Sequence, residues 1–181
     1  MKFEILFLSR GGQGAVTASR ILAEAVVKEG YYAQAIPEFG AERRGAIVRT
    51  YMRISTDPIK THEMVREPDL VVIFSKGILQ HIDPKNYIDR ASAVLLNSEK
   101  PMKIGRKTFI VDATGIALKL GLVIAGWPLV NTAILGSIAR ITGFYRLETL
   151  VDVLQNYFRG DLLNKNLEAV KLAYENTVEV G

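Results

Sequence analysis

The sequence predicts an α/β protein: an open, mostly parallel sheet with helices on both faces and a helical C-terminal third. Three observations predict it. Residues 3–36 spell strand, glycine turn, helix and strand; short apolar runs recur at 70–74, 93–96 and 108–111; and from residue 130 onward the apolar positions fall at helical spacing. With 181 residues, 49% of them hydrophobic and 23% charged, the chain suits one compact domain, 1–181, with no disordered or low-complexity linker.

The first strand, residues 3–8, is apolar and ends at the glycine turn of S-R-G-G-Q-G-A. Residues 15–29 then switch to helical period. Val16, Ala18, Ile21, Leu22, Ala25 and Val26 share one face, Arg20, Glu24 and Lys28 lie opposite, and Glu24–Lys28 has the spacing of an ion pair. Gly30 stops the helix, and residues 31–36 form a second strand, so the opening unit reads as βαβ with a parallel strand pair. This is the start of a Rossmann-like or flavodoxin-like sheet.

Residues 37–46, P-E-F-G-A-E-R-R-G-A, form a charged loop. In the strand at 47–55, Val48, Met52 and Ile54 alternate with Arg49, Tyr51 and Arg53, which predicts one wet face or one interface. Helical turns are expected at 76–82 and after Ala113. Residues 120–139 carry no charge over about the length of a bilayer span, but Gly126-Trp127-Pro128 breaks them into a buried apolar segment and a separate helix. Three helices follow, at 130–141, 147–158 and 161–174, separated by Gly143 and Gly160. Strand-like sequence begins by Phe3, leaving no room for a signal peptide, so the expected location is cytoplasmic, with no membrane partner.

Composition excludes much chemistry. The absence of cysteine rules out disulfides, thiolate nucleophiles and cysteine-held metals in this chain, and His62 and His81, read as surface residues, have no metal-ligand spacing. A net charge of +4 without a basic stripe gives no nucleic-acid partner. No catalytic acid, base or nucleophile is expected here.

Two segments are candidate binding sites. Gly11, Gly12, Gln13 and Gly14 stand where the first strand hands over to its helix, so their amides and the helix N-terminus can receive phosphate or carboxylate. The same turn can instead serve packing alone, and Gln13 there needs a hydrogen-bond partner. A dinucleotide fingerprint is disfavoured, because Ser9 replaces the first glycine and no acid closes the second strand; a Gly-Lys-Ser/Thr phosphate loop is absent. Arg43 and Arg44, flanked by Gly40 and Gly45, suit the same anions or form internal pairs with Glu38 and Glu42.

Together R-G-G-Q-G-A-V-T-A-S, P-E-F-G-A-E-R-R-G-A, the turn ending in Pro58-Ile59, V-N-T-A-I-L-G-S-I-A-R-I-T-G and N-K-N-L-E-A resemble the gamma subunit of 2-oxoacid:ferredoxin oxidoreductases, the pyruvate enzyme above all. The resemblance covers nearly the whole chain; Ser9 departs from a position that is often glycine. It implies oxidative decarboxylation of a 2-oxoacid to an acyl-coenzyme A with reduction of ferredoxin, performed with alpha, beta and delta subunits. It further implies that thiamine diphosphate and the iron–sulfur clusters sit on those partners. For this chain it implies assembly and a share in binding coenzyme A, through Gly11, Gly12, Gln13, Gly14, Arg43 and Arg44. The alternatives are a stand-alone coenzyme- or nucleotide-binding module and, behind it, a nicotinamide-dependent dehydrogenase. Asn131, Thr132, Gly136 and Ser137 read either as a close-approach face for another chain's helix or as core, and Trp127 as a core or interface anchor.

Overall fold

The computed structural model of the chain describes residues 1–38, 46–61, 63–81 and 86–181. Arg43, Arg44 and His62 lie outside them; His81 is exposed, as expected. Strand β1 (Lys2–Arg10) leads into helix α1 (Ala15–Lys28) and strand β2 (Tyr32–Pro37). Strands β3 (Ile47–Ser55), β4 (Leu70–Ile73), β5 (Ala93–Asn97) and β6 (Thr108–Val111) follow, with a 3-10 helix at Lys76–Gln80. Helix α2 (Ala113–Lys119), a hairpin of β7 (Val123–Ile124) and β8 (Trp127–Pro128), helices α3 (Asn131–Thr142), α4 (Leu147–Tyr157) and α5 (Gly160–Asn176), and strand β9 (Val178–Val180) complete the chain.

The main sheet has the order β2-β3-β1-β4-β5-β6-β9. Strands β1, β4, β5 and β6 are mutually parallel, whereas β3 and β9 run against their neighbours. The opening βαβ unit is therefore split. Strand β2 runs the same way as β1 but pairs with β3, which inserts antiparallel between them. Sequence periodicity cannot see an insertion made by a later strand, and the expected β1–β2 pair is corrected on that ground.

Ile5 to Leu8 are fully buried because β1 has a neighbour on each edge and cover on each face. On one face Ile5, Phe7, Met52, Ile54, Leu70, Val72 and Phe74 pack with apolar residues from all five α-helices. On the other face Leu6, Leu8, Val71, Ile73 and Leu96 are covered by Val65, Ile78 of the 3-10 helix, Ile88 and Ala91. The helices thus sit unevenly on the two faces.

That second cover overturns the wet face expected of β3. Arg53 is only 2% exposed and Tyr51 is buried with it. The Arg53 guanidinium donates to Glu4 Oε1 at 2.7 Å, to Gln34 Oε1 at 3.1 Å and to the Glu63 carbonyl, so the charge is buried with partners on three segments. Burial alone would raise the Glu4 carboxyl, but hydrogen bonds and charge from Lys2 and Arg53 hold it below its ordinary value.

Helix α1 ends as expected, with Gly30 at φ +91 and Tyr31 N–H donating back to the Val26 carbonyl at 3.1 Å. The predicted Glu24–Lys28 pair does not form. Lys28 reaches Asp152 and Glu24 accepts from the Tyr157 hydroxyl, both on α4, because α4 packs along this side of α1.

Residues 120–128 depart further from expectation. Leu122 is buried as expected, but residues 123–128 form an exposed hairpin, turned by Ala125 and Gly126 at positive φ, with Ile124 62% and Trp127 41% exposed. Trp127 is therefore not a core anchor. Helix α3 is buried, and its small and polar residues face this chain's own α5. Thr132 Oγ1 donates to Asn166 Oδ1 at 2.7 Å, Thr177 Oγ1 donates to Ser137 Oγ at 2.8 Å, and Gly136 lies against the Val170 backbone. Core packing explains these three residues. Among the described residues no helix is long and apolar enough to cross a membrane.

Candidate functional site

Strand β1 connects through α1 on one face, and β4 through the 3-10 helix on the other. Their carboxyl ends therefore flank the crevice where an open α/β sheet receives a ligand. Arg10, at the end of β1, spans it by donating from Nη2 to the Gly77 carbonyl at 3.3 Å. Alongside, buried Asn97 ties β4 to α2 by donating to the Phe74 carbonyl at 2.8 Å and to Thr114 Oγ1 at 2.9 Å.

The structure brings Gly11, Gly12, Gln13 and Gly14 together at this edge and shows how the turn holds its shape. Gln13 is buried, and its Oε1 accepts the Arg10 N–H at 2.7 Å while its own N–H donates to the Arg10 carbonyl at 3.1 Å. Gly11 N–H donates to the Ala46 carbonyl at 2.9 Å, which brings the end of the charged loop back onto the turn. The partner that Gln13 required is thus its own turn, and two of the four candidate amides are engaged within the chain. The Gly12 and Gly14 amides have no acceptor among the described residues. Both glycines sit at positive φ, +96 and +81, where a side chain would be strained.

Gly14 is also the residue on which two helices meet. It precedes α1, and a Cβ built on it would stand 2.9 Å from Nδ2 of Asn131, the first residue of α3. Two N-termini, each worth roughly half a positive charge, therefore converge at one point. Neither has a side-chain cap or an acidic residue in its first turn. The other three α-helices each carry their own carboxylate there. Asp112 accepts from Gly115 N–H at 2.8 Å on α2, Glu148 lies in the first turn of α4 and Asp161 in that of α5.

Asn131 is the residue whose contact sequence reasoning missed. It stood out as a polar side chain at the start of an apolar helix, but its approach to a glycine over a hundred residues away is set by tertiary packing. Glu38, just past β2, is taken up by the Tyr51 hydroxyl at 3.2 Å and by Arg49, so among the described residues no acid stands free at the end of that strand for a ribose. Among the described residues no group of three or more His, Asp or Glu could hold a metal.

Fold and site define an open-sheet α/β chain whose positively polarised helix ends meet at the switch point. The chain belongs to the pyruvate ferredoxin/flavodoxin oxidoreductase family, whose model matches residues 4–176. It aligns end to end with gamma subunits, as the motifs implied. It is 43% identical to the pyruvate/ketoisovalerate oxidoreductases common subunit gamma of Pyrococcus furiosus, across 96% of each chain. The crystal structure of pyruvate oxidoreductase subunit PORC from Thermotoga maritima superposes with a TM-score of 0.78 at 32% identity, covering 99% of both chains. The fold also recurs in the 2-oxoglutarate:ferredoxin oxidoreductase of Magnetococcus marinus, solved with 2-oxoglutarate, coenzyme A and succinyl-CoA bound. There the TM-score is 0.77 at 19% identity, over 96% of this chain and 31% of that one.

Proposed function

We propose that this chain is the gamma subunit of a cytoplasmic pyruvate:ferredoxin oxidoreductase and that its own task is to hold the phosphates of coenzyme A. Alpha, beta and delta partners carry the thiamine diphosphate and the iron–sulfur clusters, decarboxylate the 2-oxoacid and pass electrons to ferredoxin. This chain has no cysteine to ligate a cluster. Its contribution is electrostatic and positional. Gly12 and Gly14 let their amides approach a phosphate without Cβ obstruction, the N-termini of α1 and α3 favour the negative charge, and Asn131 supplies a neutral amide at the junction. Arg43 and Arg44, from the loop whose end is tied to Gly11, close on the same anion as guanidinium forks. Gly11 and Gln13 keep the turn in shape while it does so.

The observation that carries this reading is the meeting of the only two α-helices, among those described, that have no carboxylate at either the N-cap or the first turn. The test is the assembled enzyme carrying Arg43→Ala and Arg44→Ala together. The Michaelis constant for coenzyme A rises about tenfold or more, as expected for lost hydrogen bonds to a charged group, and that for the 2-oxoacid stays constant. An unchanged coenzyme A constant refutes the arginines' role.

A further inference from the structure

A second concavity opens on the opposite face of the sheet from α1. It has a volume of about 830 Å³, within the range of small-molecule pockets, and its walls include Arg49, Arg66, Arg90, Tyr51, Tyr87 and Glu38. The arginines come from three separate segments: β3, the stretch after residue 63, and the stretch before β5. Arg49 packs its guanidinium over the Tyr87 ring, 5.7 Å from the centroid, which fixes its direction. Its Nε is buried and has no acceptor among the described residues, and its ion-pair partner Glu38 stands 3.8 Å from Nη1, beyond hydrogen-bond reach. Glu38 is itself engaged by the Tyr51 hydroxyl at 3.2 Å. Arg66 and Arg90 are exposed and have no ion pair among the described residues.

A desolvated guanidinium N–H without an acceptor is uncommon, and it is least expected beside two arginines that have no ion pair among the described residues. We infer that this pocket binds a small molecule bearing two or more linked phosphates, at a site separate from the glycine turn. Arg49 donates to one phosphate from its orphaned Nε and the adjacent fork nitrogen, while Arg66 and Arg90 close on the second from the rim.

Inorganic pyrophosphate is the probe, titrated calorimetrically into the purified full chain beside citrate and an acidic decapeptide. Saturable one-site binding of pyrophosphate is expected, weakened about tenfold or more by Arg66→Ala with Arg90→Ala. Arg49→Lys, which keeps the charge but removes Nε, weakens it in the same direction, with thermal melts checking that each variant folds. Lys119→Ala with Lys171→Ala, an equal loss of charge on the helical face, leaves it unchanged. Absence of saturable binding overturns the assignment. So does equal loss in the lysine pair, which marks diffuse charge, or indifference to the arginine pair, which moves pyrophosphate to the glycine turn. Tighter binding of citrate or of the acidic peptide also overturns it, in favour of a carboxylate ligand or a protein-docking surface.

Discussion

Helices α1 and α3 begin differently from α2, α4 and α5. The second group brings negative charge to its own N-termini through Asp112, Glu148 and Asp161. Glu29, from the end of α1, adds another by accepting from the Arg146 backbone N–H and the Thr149 hydroxyl at the start of α4. The first group has none, and its two starts lie against each other at Gly14 and Asn131. A helix end left without a counter-charge is a lost opportunity for stability of a few tenths to one kcal/mol. Two such ends at the ligand-receiving edge of the sheet place that opportunity at the disposal of a bound anion.

The comparison can be broken most sharply at the point of contact. Gly14→Ala forces a left-handed backbone on alanine and drives its methyl into Asn131, so unfolding in urea should show a loss of about 2–3 kcal/mol, combining strain with displacement of a packed neighbour. Asp112→Ala removes the one side-chain cap that a described α-helix receives from its own N-cap residue and should lower stability by about 1 kcal/mol in the same assay. Asp161→Asn, exposed and contributing through the helix dipole and Lys165, should change it by no more than about 0.5 kcal/mol, and less at high salt.

Glu29 sharpens the contrast through pH. Hydrogen bonds from Thr149 and the Arg146 backbone hold its carboxyl below the usual glutamate value. A lowered folded pKa stabilises the native chain above the ordinary value, and that contribution disappears as pH falls through the folded one. Glu29→Gln should therefore flatten part of the acid limb of the stability profile while leaving the alkaline limb unchanged. An identical acid limb in the variant would remove Glu29 from this role.

Local signals were legible in the sequence, and tertiary ones were not. The period of α1, the stop at Gly30 and the glycine boundaries of α3, α4 and α5 are each written within a few adjacent residues, and each appears where expected. Arg49, Tyr51 and Arg53 read as one wet face or one interface because alternation reports polarity, while burial of Arg53 depends on Glu4, Gln34 and Glu63 arriving from other segments. Within the apolar run at 120–128, Leu122 is buried as expected, but residues 123–127 are exposed, because hydropathy cannot distinguish a core strand from an exposed hairpin. The short β9 gave no periodic signal and is defined by its pairing with β6. At the site, the glycine turn announced itself through composition, but the hydrogen bonds that hold Gln13 to Arg10 and the approach of Asn131 to Gly14 exist only in the folded chain.

Asn131→Asp tests the central claim most directly, because it changes charge at the helix junction with almost no change of shape. A carboxylate at the start of α3 should leave the melting temperature equal or slightly higher, as acids at helix N-termini do. In the reconstituted oxidoreductase it should raise the Michaelis constant for coenzyme A about tenfold or more through repulsion of the phosphates, with the 2-oxoacid constant unmoved. A normally folded variant that uses coenzyme A as well as the parent enzyme would contradict the account.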